Sequence, residues 1–345
     1  MTERTELSTL GEFGLIDRLT NTIKCTQTST IKGIGDDAAV IKYDHKVTLV
    51  STDLLTEGIH FDLSYIPLKH LGYKAAVVNF SDIYAMNGVP RQLLISIAIS
   101  NRFSLEAIEE LYEGLRLACK KYDVDLVGGD TSSSASGTFM SLTVIGEAEE
   151  EKVVYRNTAQ VGDLICVSGD LGAAFTGLLL LEREKEVFLA NPNAQPDIEN
   201  NDYVLQRQLR PEARKDIIAK LEELQIKPTS MIDVSDGLAS ELMHICHDSE
   251  KGCNIYENKI PIDFTTVKTA EEFNMEPLIC ALNGGEDYEL LFTVDLKDYD
   301  KIVQFSEISI IGHITAASEG LNLITNAEQS MELTAQGWDA FKKGQ

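Results

Sequence analysis

Basic residues are scarce in this chain: 30 Lys and Arg stand against 55 Asp and Glu, a formal net charge of −25. Nucleic acid and anionic membrane surfaces are met by clustered Lys and Arg, so neither is an expected partner. Long apolar runs are also missing, and nothing approaches the roughly eighteen apolar residues that a membrane helix needs. The N-terminal stretch MTERTELSTLGEFGLIDRL is charged from its third residue and has no apolar segment of signal-peptide length. A cytosolic protein is expected. The six cysteines, Cys25, Cys119, Cys166, Cys246, Cys253 and Cys280, are scattered without a CxxC pair. They read as free, mostly buried thiols, not as disulfides or a structural zinc site. No GxxxxGK[ST] loop occurs, GIGDDA lacks the third glycine of a dinucleotide fingerprint, and no HRD and DFG pair is present. Any bound phosphate must therefore be held in another way, with cations supplied from outside the chain.

At 345 residues, with 43% hydrophobic and 7% aromatic residues, the chain is long enough for two ordinary cores. The polar, turn-rich RNTAQVGD stretch, with the boundary near Asn157 to Gly162, divides it into domains at 1–155 and 156–345. Ser104 is positioned to cap a helix that has Glu106, Glu109 and Glu110 at its start and Lys120 and Lys121 at its end, matching the helix dipole. Val47 to Ser51, Leu93 to Ser100, the DLVGG run and Phe139 to Gly146 read as strands, and Glu147 to Glu151 as a solvated turn or edge. In the second half, Val187 to Tyr203 reads as a surface insertion and Pro211 as the first residue of a helix, PEARKDIIAKLEEL.

Carboxylates recur in one local setting, a short apolar run that ends in Gly, Ser or Thr beside Asp. The segments are GIGDDAAV (33–40), VTLVSTD (47–53), DLVGGDT (125–131), MIDVSDGL (231–238) and NGGEDYELLF (283–292). Such runs are how buried strands deliver side chains to a functional rim. Beside them stands AAVVNFSDIYAMNGVP. Read at helical spacing, Leu71, Ala75, Val78, Asp82 and Ala85 fall on one face, which is apolar except for Asp82. Propensity alone leaves AAVVNF open as a strand. A carboxylate held among aliphatics needs a cation, and many carboxylates at strand ends point to one polyvalent metal site. Mg²⁺, which takes one or two carboxylates, water and phosphate oxygens, suits such a set.

The ordered motifs GEFGLIDRL, GIGDDAAV, STDLLTEGIHF, NFSDIYAMNGVP, GGDT, SGDLG, LRPEAR, DVSDGL and GGEDYELLFT span nearly the whole chain and resemble the thiamine-monophosphate kinase family. That family belongs with aminoimidazole ribonucleotide synthetase and selenophosphate synthetase. The resemblance implies a two-domain α/β (α+β) fold. An N-terminal domain would form a β-barrel across a homodimer, and a C-terminal mixed-sheet α/β domain would complete the cleft. It further implies Mg²⁺-assisted, in-line transfer from ATP to thiamine phosphate, the last step to thiamine diphosphate, with no general base.

Carried over by position, the resemblance makes Asp37, Ser51, Thr52, Asp53, Asp82, Asp130, Asp233 and Asp236 metal-binding, with Asp36 or Asp37 left open as the residue facing metal. It makes Tyr112, Gly129, Asp130, Arg156 and Ser235 nucleotide-binding, and His60, Glu286 and Trp338 substrate-binding. Two other readings compete. One is a relative that uses ATP to activate an amide oxygen or selenide, although Lys24-Cys25 lacks glycine-rich context. The other is a silent metal and nucleotide sensor, which would have lost some of these carboxylates.

Overall fold

A computed structural model describes residues 30–32, 36–43, 46–100 and 103–336. Trp338, Cys25 and the GEFGLIDRL motif lie outside the described residues. The first half contains β1 (Thr30–Lys32), β2 (Ala39–Tyr43), β3 (Lys46–Thr56), helix α1 (Leu68–Ala85), β4 (Val89–Ile99), α2 (Leu105–Tyr122), β5 (Asp125–Ser133) and β6 (Phe139–Glu149). Its six strands form one mixed sheet in the order β1-β2-β3-β6-β4-β5. Alternation sets the two faces of that sheet: Leu93, Ile95 and Ile97 of β4 and Met140, Leu142 and Val144 of β6 are buried beneath the helices, whereas Leu54 and Val127 are exposed.

Helices α1 and α2 cover the buried face. They cross where Gly72 and Gly114 face each other, and a Cβ on either would sit 1.9 Å from a carbonyl oxygen, Leu111 O or Lys69 O. That closeness buries α1 almost all round, so AAVVNF is helical here. Ser104 caps α2 by accepting the Ala107 N–H at 3.3 Å.

The second half holds β7 (Leu164–Ser168), α3 (Ala173–Ala190), α4 (Asp202–Leu209), α5 (Lys215–Glu223), β8 (Ser230–Asp233), α6 (Leu238–Ser249), β9 (Lys251–Tyr256), α7 (Phe264–Glu272), α8 (Pro277–Asn283), β10 (Leu290–Val294), α9 (Tyr299–Ile302), β11 (Ile308–Ala316), β12 (Leu321–Ile324) and β13 (Ser330–Glu332). Its seven strands run β13-β12-β9-β11-β7-β10-β8. Leu238, Leu242 and Ile245 of α6 pack in one core with β7, while Ile217 and Leu221 of α5 and Ile302 of α9 pack in another. The sheet is therefore covered on both sides. Its end strand β8 meets α1, where Ser81 donates to Asp233 Oδ2 at 2.5 Å.

Three local expectations change. Helix α5 begins at Lys215, not at Pro211, because the intervening chain is held in an irregular path: the Ala213 N–H donates to Tyr122 Oη at 2.9 Å and Arg214 turns inward to Glu289. Glu147 to Glu149 continue strand β6, where Glu147 pairs with Lys46 and Arg91. Helix α3 runs to Ala190, so the irregular segment between α3 and α4 is shorter than Val187 to Tyr203.

Candidate active site

Strand β3 pairs with β2 as far as Val50 and with β6 on to Thr56, so residues 51–56 carry one open backbone edge. Beside that edge the sequence has placed alternating side chains. Ser51 and Asp53 point toward α1, and Thr52 points to the opposite face, where its hydroxyl donates to Leu142 O at 2.7 Å and touches Thr143 Oγ1. Ser51 Oγ lies 2.5 Å from Asp82 Oδ2 and 3.0 Å from Asp37 O. Asp82 arrives from the last turn of α1, Asp37 from the turn before β2 and Asp233 from the end of β8. Carboxylate oxygens of these three lie within 4.8 Å of one another.

No like-charge cluster assembles at neutral pH without help. Burial, then Asp53, Asp233 and Asp37, push the Asp82 carboxyl well above its usual range. Burial raises Asp37 in the same way against the pull of Arg156, and burial raises Asp233. Asp53 is pushed up to about 6 by burial and by Asp233. Arg156 is the one guanidinium at hand, and among the described residues it reaches Asp36 and Asp37 alone: Nη2 lies 3.1 Å from Asp37 Oδ1 and Nε 3.4 Å from Asp36 Oδ1. The Asp36 side chain is fully covered beside Arg156 and Lys32, and Asp37 is the member of the pair that joins the cluster. Asp37 Oδ2 is buried with no hydrogen-bond partner. Hard carboxylate oxygens, a mutual repulsion that Arg156 and two serine hydroxyls offset only in part and an orphaned oxygen together fit a divalent cation such as Mg²⁺.

Asp53, Asp82 and Asp233 line a cleft of about 950 Å³. Lys74, Val78 and Asp82, spaced four apart on α1, line one wall. Ser235 and Asp236 line the other. Glu241, in the first turn of α6, supports that loop from beneath by accepting the Asp236 N–H at 2.9 Å. Glu286 faces the cleft from a turn with Gly285, Glu286 and Tyr288 all at positive φ (70°, 58° and 53°), a strained backbone held by Glu286 N–H to Ser235 O at 2.7 Å and Tyr288 N–H to Val234 O at 2.9 Å. Lys74 Nζ reaches Glu286 Oε2 at 3.0 Å, and the Gln208 amide reaches it at 2.8 Å. His60 is on the rim, its Nδ1 accepting the Thr56 N–H at 3.0 Å.

Asp37, Ser51, Asp53, Asp82, Asp233, Asp236, Arg156, Ser235, His60 and Glu286 therefore come together at or beside one cleft. Besides the Thr52 hydroxyl, which is on the opposite face of β3, three residues stand apart. Gly129 and Asp130 are on the exposed edge strand β5, opposite Ile95 and Ser96 of β4. That is three strands from β3, about 14 Å along the sheet at the usual spacing between neighbours. Tyr112 is half-buried on α2 against the first core.

Lys74 and Glu241 went unnoticed in the sequence. The signal for Lys74 was its four-residue step from Val78 and Asp82, and for Glu241 an acid in the first turn after DVSDG. The acids of NGGEDYELLF also divide. Glu286 enters the cleft, whereas Asp287 and Glu289 turn away to arginines: Arg207 Nη1 lies 2.8 Å from Glu289 Oε1, and Arg214 also pairs with Glu289.

Residues 35–148 match the AIR synthase related protein, N-terminal domain. The thiamine-monophosphate kinase of Bacillus subtilis (strain 168) is 35% identical over 340 residues, covering 96% of this chain and 100% of the relative. That of Aquifex aeolicus (strain VF5) is 34% identical over 335 residues, covering 97% and 99%. The solved structure of AaThiL complexed with AMPPCP and TMP superposes with a TM-score of 0.82 at 32% identity, over 99% of this chain and 100% of that one. On identity and coverage together, the chain belongs to the thiamine-monophosphate kinase family.

Proposed function

We propose that the acidic cleft transfers the terminal phosphoryl group of ATP to the phosphate of thiamine phosphate, giving ADP and thiamine diphosphate. The observation that carries this reading is the meeting of Asp37, Asp82 and Asp233 within 4.8 Å, with Asp53 beside them. These carboxylates would hold Mg²⁺, and Asp236 would hold a further ion. Bound Mg²⁺ supplies charge neutralisation between two anionic substrates and across the in-line transition state. The chain's own task is placement. Ser51 and Ser81 orient the carboxylates of Asp82 and Asp233, and Glu241 fixes the Ser235-Asp236 loop. The acceptor's second pKa is about 6, so it arrives ionised and needs no general base.

Arg156 and Ser235 are assigned to the nucleotide. For Tyr112, Gly129 and Asp130 as nucleotide contacts, and for Thr52 and Asp130 as metal contacts, the assignment rests on the family resemblance alone, since in this chain these groups stand away from the cleft. His60, Glu286 and Trp338 are assigned to thiamine phosphate. Support for the two substrates comes from AaThiL, complexed with AMPPCP and TMP. A homodimer belongs to the same proposal, because the sheet face carrying Leu54 and Val127 (57% and 54% exposed) would be covered by a second copy. So does a cytosolic location: the five described cysteines are free thiols, as a reducing compartment requires, and no described helix is long and apolar enough to cross a membrane.

The test is formation of ADP and thiamine diphosphate from Mg·ATP and thiamine phosphate, beside unphosphorylated thiamine and an acceptor-free control. Both products are expected with thiamine phosphate alone. ADP formed equally well without acceptor would sink the assignment.

A further inference from the structure

On the other side of α1 from the cleft, the charge pattern reverses. Lys69, His70 and Tyr73 of α1, Lys120 and Lys121 of α2 and Arg210 after α4 line a cavity of about 450 Å³, within the range of small-molecule sites. In a chain of net charge −25, no carboxylate is among its lining residues. The nearest acid, Glu212, is already engaged, 2.6 Å from Lys121 Nζ, 3.9 Å from Arg210 and 2.9 Å from Tyr73 Oη. Lys69 and Lys120 have no ion pair among the described residues.

Two further features point the same way. The first turn of α1 is where an acid would meet the positive end of the helix dipole, yet it carries no acid and no side-chain cap, and holds Lys69 and His70 instead. His70 Nδ1 is buried with no hydrogen-bond partner. Clustered cations, an uncapped helix start and an orphaned ring nitrogen each carry an electrostatic cost in the free protein. A multiply charged anion would offset the first two at once. Local choices that work against stability in this way mark functional positions.

We propose that this pocket binds the phosphate or diphosphate group of a small molecule, at a site separate from the acidic cleft. Lys69, Lys120 and Arg210 would supply charge-assisted contacts, and the ring of Tyr73, with the Arg210 guanidinium 5.2 Å from its centroid, would form the wall. This site does not depend on the reaction assigned to the cleft.

The test is calorimetric titration of the full chain with inorganic diphosphate in excess EDTA. Chelation removes the metal through which the acidic cleft would hold phosphate, so binding that remains reports the basic pocket. Saturable binding of one diphosphate per chain is expected, weakening steeply with added salt. In Lys69→Ser/Lys120→Ser, both exposed positions, affinity should fall at least about tenfold. It should be unchanged in Lys259→Ser, an exposed lysine elsewhere. Turnover of thiamine phosphate by the double variant should match wild type. Absence of saturable binding, or binding that the double variant retains, would overturn the proposal. Loss of turnover in the double variant would overturn the separateness of the site.

Discussion

Two groups of buried acids in this chain are balanced in opposite ways. Asp287 and Glu289 find their counterions within the chain. Glu289 lies between Arg207 and Arg214, and Asp287 accepts the Gly172 and Ala174 N–H groups at 2.7 and 3.2 Å at the start of α3. Asp53, Asp82 and Asp233 have hydroxyls and each other, with Arg156 reaching Asp37 at the margin. Burial alone does not distinguish the two groups. What distinguishes them is whether the fold supplies the positive charge, and where it does not, the charge must come from solution.

Breaking each group should give opposite outcomes. Asp82→Asn removes one charge at nearly constant volume, so turnover should fall at least about 10³-fold. The melting temperature of the metal-free protein should hold or rise, because a like-charge repulsion is relieved. Wild-type turnover in this variant would remove Asp82 from the metal site. Arg207→Met leaves Glu289 and Asp287 without their main partner and should cost about 3–5 kcal/mol of stability in chemical denaturation. A wild-type denaturation midpoint would mean that Arg207 does not hold this network together.

Acidity sharpens the contrast. Burial raises Asp37, Asp82 and Asp233, and Asp53 to about 6. A carboxyl whose folded pKa lies above its unfolded value stabilises the fold while protonated. That contribution is complete below the ordinary carboxylate range and is lost as pH rises through the folded value, here through about 6 and beyond. Mg²⁺ competes with those protons, so it should raise the melting temperature more at about pH 7.5 than at about pH 5. Equal shifts at both pH values would place the cation elsewhere.

The smallest effects concern the two faces of β3. Ser51→Ala should raise the Mg²⁺ requirement about tenfold, since it loosens a carboxylate that holds the ion. Thr52→Val, whose hydroxyl is on the far face, should change it less than about twofold. A larger effect of Thr52→Val in Mg²⁺-dependence assays would mean that its side chain turns into the site.

Much of this was readable from residue order. The face made by Leu71, Ala75, Val78, Asp82 and Ala85 has helical period, and α1 spans Leu68–Ala85. Ser104 and the charge gradient to Lys121 mark both ends of α2. Asp53, which lies within β3 and not at its end, and Asp233, at the end of β8, reach one place because β3 and β8 flank α1. What pattern could not give is pairing across long separations. Arg207 stands 82 residues from Glu289, so local pattern does not show that an acid within the NGGEDYELLF segment belongs to a structural ion network. Asp130 shares the local setting of Asp53, yet strand order puts it on β5 at the far edge of the sheet. Pro211 had the grammar of a helix start, and the tertiary demand that Arg214 reach Glu289 delayed the helix to Lys215.

The most direct test is an anomalous difference map from crystals grown with Mn²⁺ and a non-hydrolysable nucleotide. The account predicts a peak within coordination distance of Asp82, shared with Asp37 or Asp233, and none beside Asp287 and Glu289. A map whose only peaks lie away from Asp82 would contradict it.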